Sequence, residues 1–385
     1  MFIDSDDNLV NKVMHYEDFH DGDDDDDYYG KMSKPYISQE DDALKYDMVS
    51  KYKSTLLLAA HTRRYCVIKV LLDSGYAKAN QTDRSMQISP LHIISSIPNL
   101  QYLTLHLFKE DDEDDLCLIQ EYIDTASKLN LNKSVILAIT REVLKGNKKL
   151  SDQNIKELAD KIIKEELEIA KLLLDKGADI NRKDIYGSSA LHRAAIGGKQ
   201  DMVKWLIDNG ADVDSQDIFN ITPLQNAMLK HTGASKEIVS HVALECFTQN
   251  NQVKNMFQHT MKTIDDSSWL KELKISCDKE LEKIKSINLN SRYSLLVFLN
   301  RNISILSRLV HHPLITNLDV TEFKIYGKKL QDAIKEASKR LSIIKSYIPK
   351  IDEVMGNSGW KFIPTEVRYS IVEFLEDKDL SLIDL

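Results

Sequence analysis

The sequence predicts an all-α fold: an array of stacked helix-turn-helix repeats with short hairpin loops, followed by a C-terminal helical bundle. One short motif recurs four times, apolar pairs at helical spacing stop at glycines, and a single amphipathic stripe dominates the last third.

Composition bounds the function before any motif is read. With 385 residues, 42% hydrophobic and 29% charged, the chain has room for two or three compact units or one elongated array. Its net charge of −9 repels nucleic-acid backbones and anionic membrane surfaces, so the expected partners are proteins, with no nucleic acid and no membrane. Cys66, Cys117, Cys246 and Cys277 form no Cys-x-x-Cys pair. That argues against a zinc site or disulfide framework and for a reducing, intracellular compartment. The opening MFIDSDDNLV lacks the basic and apolar regions of a cleaved signal peptide, and no run of about 18 apolar residues offers a membrane span.

The recurring motif reads Ser54-Thr55-Leu56-Leu57-Leu58-Ala59-Ala60, Ser89-Pro90-Leu91-His92-Ile93, Ser189-Ala190-Leu191-His192-Arg193-Ala194-Ala195 and Thr222-Pro223-Leu224-Gln225-Asn226-Ala227. The starting hydroxyl residues lie 35 residues apart (54 to 89), then 100 (89 to 189), then 33 (189 to 222). Ser or Thr suits an N-cap, Pro the first helical position, and paired Ala residues let a neighbouring helix approach closely. Second helices are predicted at Val67-Ile68 with Leu71-Leu72, Ile169-Ala170 with Leu172-Leu173-Leu174, and Met202-Val203 with Leu206-Ile207. They stop at Gly75, Gly177 and Gly210.

These motifs, with the Gly-Ala-Asp runs at 177–181 and 210–214, resemble ankyrin repeats, whose pattern Thr-Pro-Leu-His-x-Ala returns about every 33 residues. The resemblance assigns repeats 1 and 2 to 46–100 and repeats 3 and 4 to 164–250. It implies a concave face of hairpin tips and first helices that captures a target protein, with Asp184, Tyr186, Arg193, Asp217, Phe219 and Asn226 as candidate contacts. Tyr186 and Phe219 suit interface anchors, or equally cover an adjacent hairpin. His92 and His192 invite a metal or catalytic reading, but no Cys, Asp or Glu stands at ligand spacing around either. In ankyrin repeats this histidine bonds the backbone between neighbours.

The 100-residue interval equals three periods plus one residue, so 101–163 holds either a helical insertion or two degenerate repeats. The acidic run Glu110 to Asp115 cannot sit inside a packed repeat interface and favours an insertion. Ile155, Leu158, Ile162 and Leu167 predict a helix that merges into the one ending at Asp175. Residues 1–45, with Asp21 and the run Asp23 to Asp27, read as a flexible acidic tail. The run lacks the spacing and late Glu of an EF-hand loop.

Residues 251–385 read as a second module. Leu330, Ile334, Ala337, Leu341, Ile344 and Ile348 recur at steps of four and three, a stripe that a helix must bury against elements around Leu295 to Leu309. The last segment, 360–381, resembles the start of an F-box. Pro364 suits a first helical position, Glu366 the positive end of a helix dipole, and Val367, Ile371, Phe374 and Leu375 share one face. A repeat array, a helical module and a truncated F-box together resemble the PRANC architecture over about 278–385. That architecture occurs in poxvirus ankyrin proteins and in those of obligate intracellular bacteria such as the rickettsial group.

The resemblance implies an adaptor delivered as a pathogen or symbiont effector. Its F-box-like helix docks on the adaptor subunit of a host cullin-RING (SCF-type) ubiquitin ligase through Ile363, Pro364, Val367, Ile371, Phe374, Leu375 and Leu380, while the ankyrin surface selects a target. Ile363 stands where the F-box usually has Leu, and the chain ends five residues after Leu380, where a full F-box continues. The alternative is a plain ankyrin scaffold whose last helix closes its own bundle. With no His-Glu-x-x-His, P-loop or Gly-x-Ser-x-Gly pattern, a non-enzyme is expected, with no catalytic residue, metal or cofactor, acting as a monomer.

Overall fold

A computed structural model describes residues 55–61, 63–83, 85–96, 152–228, 232–249, 256–300, 303–355 and 359–372. The predicted acidic tail, most of the 101–163 interval, and Phe374, Leu375 and Leu380 lie outside the described residues. Every regular element among the described residues is a helix. The chain divides into two compact units, Met1–Ile238 with Asn255–Thr263, and Val239–Lys254 with Ile264–Leu385.

The first unit is a stack of helix pairs: α1 (Thr55–His61) with α2 (Tyr65–Asp73), α3 (Pro90–Ser95) with α4 (Asp152–Asp175), α5 (Ala190–Gly197) with α6 (Gln200–Asp208), and α7 (Pro223–Met228) ahead of α8 (Thr232–Thr248), whose residues from Val239 onwards belong to the second unit. The short first helices stack on one another, α1 on α3, α3 on α5 and α5 on α7, while α4 packs against both α2 and α6. Small residues permit this close stacking: Ala59, Ala60, Ala190, Ala194, Ala195 and Ala227 are all buried.

The order of helices locates the two halves of repeat 2. Repeat 2 begins with α3 and finishes with α4, so residues 97–151 interrupt one repeat between its two helices. No further repeat is stacked between α3 and α5, because these two helices touch directly. The second helix of repeat 2 lies beyond the interval, and α4 is the helix predicted from Ile155 onwards.

A buried ion cluster seats α4. Lys199, at the start of α6, donates to both oxygens of Glu166 on α4 at 2.9 Å and to the carbonyl of Ile94 on α3 at 2.9 Å. Arg63, in the α1–α2 turn, approaches the same carboxylate at 2.6 Å and also reaches the carbonyl of Ser96. Burial alone would raise the Glu166 pKa, yet the Lys199 and Arg63 charges hold it below the ordinary carboxylate value. Burial pushes Lys199 down to about 8, which leaves it charged at neutral pH.

Hairpins between the pairs repeat one backbone plan. Asp83, Asp184 and Asp217 each accept two hydrogen bonds from backbone N–H groups two to five residues ahead, closing the turn. Neighbouring hairpins then join. Ile185 N donates to Met86 O at 3.1 Å, and Ile218 N to Tyr186 O at 2.9 Å. Gly187 sits at this junction with φ +71°, and a Cβ there would lie 3.1 Å from Ile218 N.

The second unit holds α10 (Ser268–Ser286), α11 (Ile303–Leu309), α12 (Pro313–Thr316), α13 (Gly327–Val354) and α14 (Thr365–Val372); α9 (Gln258–Asp266) precedes them. The predicted stripe on α13 points inward: Leu330, Ala337, Ile344 and Ile348 are buried, with Ile334 and Leu341 partly so. Leu295 to Leu299 forms a 3-10 turn packed on α10 and α13, and α11 packs on α13.

Glu166→Gln should lower unfolding free energy by about 3–5 kcal/mol, because it leaves the Lys199 ammonium buried without a counter-charge. Denaturant titration at neutral pH checks this, and Glu166→Leu combined with Lys199→Met should recover part of the loss.

Candidate protein interaction surfaces

The motif histidines are structural, and their bonds set the spacing of the tips. His92 Nε2 lies 3.0 Å from the carbonyl of Ser188, and His192 Nε2 lies 3.1 Å from that of Ile221. A carbonyl only accepts, so Nε2 carries the proton. Nδ1 then accepts from the N–H of Ser89 at 3.3 Å, or of Ser189 at 3.2 Å. One neutral tautomer satisfies both contacts. Burial pushes the His92 pKa down to about 4 and lowers that of His192. In the fourth motif Gln225 replaces the histidine and keeps only the helix cap, its N–H donating to Thr222 Oγ1 at 3.3 Å while Oε1 accepts from Thr222 N at 2.8 Å.

A second ladder ends at the same repeat. Asn80 donates to Gly177 O and accepts from Asp179 N, and Asn181 repeats this with Gly210 O and Asp212 N. The equivalent third position is Asp214, which has no donor to offer a carbonyl. It accepts instead from Thr260 N at 2.6 Å and His259 N at 3.2 Å, capping the start of α9.

The tips carry the first candidate surface. Tyr186 and Phe219 are 41% and 65% exposed, and the sequence reading missed their neighbours Ile185 and Ile218, at 41% and 59%. The signal was present: Asp-Ile-aromatic recurs at 184–186 and 217–219. The backbone bond between Tyr186 and Ile218 brings the two tips side by side. Asp184 and Asn226 are corrected, because both are buried. The Asp184 carboxylate is occupied by its own hairpin and by an ion pair with Arg193. Asp217 is likewise engaged by the N–H groups of Phe219 and Ile221.

The second candidate surface is on α14. Its inner side belongs to its own bundle: Val372 packs with Ile344, Ile348 and Trp360, and Ile363 is partly buried against this cluster. Val367 and Ile371, one turn apart, are 46% and 42% exposed, and Pro364 is exposed. Phe362, absent from the sequence-based set, is 90% exposed beside them in the chain. No helix among the described residues is long and apolar enough to cross a membrane.

Comparison with known proteins meets this geometry. Residues 158–253 match the family model for ankyrin repeats (3 copies), and residues 290–384 match that of the PRANC domain. Among curated relatives, the ankyrin repeat protein FPV162 of Fowlpox virus (strain NVSL) is 34% identical over 41% of this chain and 27% of its own length. FPV244 of the same virus is 31% identical over 37% of this chain and 21% of its own length, and FPV024 is 32% identical over 57% and 37%. The chain therefore spans between a fifth and two fifths of these relatives. It carries ankyrin repeats and a C-terminal PRANC domain, both of them protein-interaction domains.

Stability should fall as pH drops from about 6.5 towards 4. The unfolded histidines take up protons near 6.5 while buried His92 does not until about 4, so below 6.5 the unfolded state gains protons that the folded state refuses. The loss attributable to His92 is on the order of 3 kcal/mol at the lower end. Urea titrations between pH 7.5 and 5 should show this slope, and it should flatten in a His92→Gln, His192→Gln double variant.

Proposed function

We propose that this chain links a captured protein to a host cullin-RING ubiquitin ligase, with the hairpin tips choosing the target and α14 recruiting the ligase adaptor subunit. The observation that carries the reading is the two-sidedness of α14. Its inner side is committed to the bundle, yet Val367 and Ile371 stand one turn apart and open to solvent, with Phe362 exposed just ahead. Apolar side chains placed this way gain from burial by a partner, roughly 1.5–3 kcal/mol for each one fully covered. In the sequence, Phe374 and Leu375 follow Ile371 at steps of three and four. The charge of −9 and a sequence without any Cys-x-x-Cys pair suit a protein partner in a reducing host compartment.

Target capture rests on the paired tips. Ile185, Tyr186, Ile218 and Phe219 bring two aliphatic and two aromatic side chains to adjoining turns held by backbone bonds, a rigid patch of the kind that anchors interfaces. Arg193, fixed by Asp184, supplies a partly exposed cation nearby.

Pull-down from eukaryotic lysate, read by mass spectrometry, tests both halves. Deleting 360–385 also removes Trp360 and Val372 from the bundle core, so point variants are preferable. Val367→Asp with Ile371→Asp should cut adaptor recovery at least roughly tenfold while leaving thermal stability unchanged. Equal recovery by wild type and this variant would overturn the docking reading. Phe219→Ala should reduce the captured target and leave the adaptor.

A further inference from the structure

We propose that Asp352 is the positioning residue that sets the rotational register of α14 and so keeps the Val367 and Ile371 face turned outward; its functional consequence rests on the docking reading above. One oxygen of this carboxylate, Oδ1, accepts from Trp360 Nε1 at 2.6 Å and from an Arg368 guanidinium nitrogen at 2.6 Å. The three residues come from three successive elements: the last turn of α13, the 3-10 turn at Gly359–Phe362, and the first half of α14.

Apolar packing alone leaves the register open. Val367, Ile371 and Val372 are aliphatic side chains of similar size and shape, and the hydrophobic effect is non-directional, so each is a chemically acceptable plug beside Ile344 and Ile348. A roll of about 100°, one residue on a helix, exchanges Ile371 for Val372 and buries part of the outer face. The polar contacts remove that freedom. Arg368 and Val372 lie one turn apart on the inner side, Val367 and Ile371 one turn apart on the outer side. The Arg368 guanidinium meets the Asp352 carboxylate directionally, and a roll of one residue would carry the Arg368 backbone away from that carboxylate and weaken the bond.

The place of Asp352 on its own helix points the same way. The last turn of α13 holds no basic residue, and a carboxylate there opposes the negative end of the helix dipole. Local helix stability does not account for an acid at this position, whereas bonding across to the next two elements does. Trp360 makes the arrangement rigid, since the ring that donates to Asp352 also belongs to the apolar cluster holding Val372.

The test uses the full chain with Asp352→Ala, Arg368→Ala, their double variant, and Trp360→Phe. Affinity for the purified adaptor subunit of an SCF-type ligase is measured beside amide hydrogen exchange over 359–372 and over 327–348. Each of the first two single variants should lose roughly tenfold in affinity and exchange faster over 359–372 while 327–348 stays protected. The double variant should be no worse than Asp352→Ala alone, because that substitution already removes the Arg368 contact. Unchanged exchange over 359–372 in Asp352→Ala overturns the proposal, as does faster exchange with full affinity, or additive losses in the double variant. Should Asp352→Ala also loosen 327–348, Trp360→Phe carries the comparison, since it removes the indole donor while keeping an aromatic ring in the cluster. If the wild-type chain binds no adaptor, the docking reading fails, and exchange alone decides whether Asp352 locks the register.

Discussion

Glu166 lies where four parts of the repeat array converge, and its burial is the constraint to which the rest of that unit answers. Carrying a carboxylate out of water is expensive, and here the cost is offset by Lys199 and Arg63, with Ile94 and Ser96 carbonyls taking the remaining donors. The arrangement is specific because each partner comes from a different helix pair. It fixes α4 against α3 although residues 97–151 separate them in the chain. What pairs α4 with α3 is this cluster and the packing around it, not the length of chain between them. A repeat can therefore tolerate an interruption between its helices, provided the second helix has its own reason to return.

The hairpin ladders show how the array ends. Asn80 and Asn181 offer a donor and an acceptor to the following hairpin, and His92 and His192 reach the next turn with one ring nitrogen while capping their own helix with the other. At the fourth repeat both positions change, to Asp214 and Gln225. An acceptor-only carboxylate suits the N-terminus of α9, and Gln225 closes a cap without reaching onward.

In the second unit, α14 divides its labour by face. Val372 and Arg368 work inward, Val367 and Ile371 outward, and the polar anchoring through Asp352 separates the two sets where hydrophobicity alone would not. That division makes a terminal helix both part of a bundle and a surface for a partner.

Much of this was legible in the residues themselves. Motif spacing, helix-stopping glycines and the α13 stripe reflect local rules of capping, backbone freedom and periodicity, so the all-α repeat array followed by a helical module could be read directly. The exposure of Tyr186, Phe219, Val367 and Ile371 also follows from their positions in the motifs. Other facts depend on which distant groups meet. Asp184 looked like a surface acid until its hairpin and Arg193 were seen to enclose it, and Ile363 looked like an outward contact until its cluster was seen. The pairing of α3 with α4 across the interval, and the meeting of Arg63, Glu166 and Lys199, could be decided only in three dimensions. Periodicity tells each helix which side to bury, but carries no information about which partner, up to 105 residues away, will cover it.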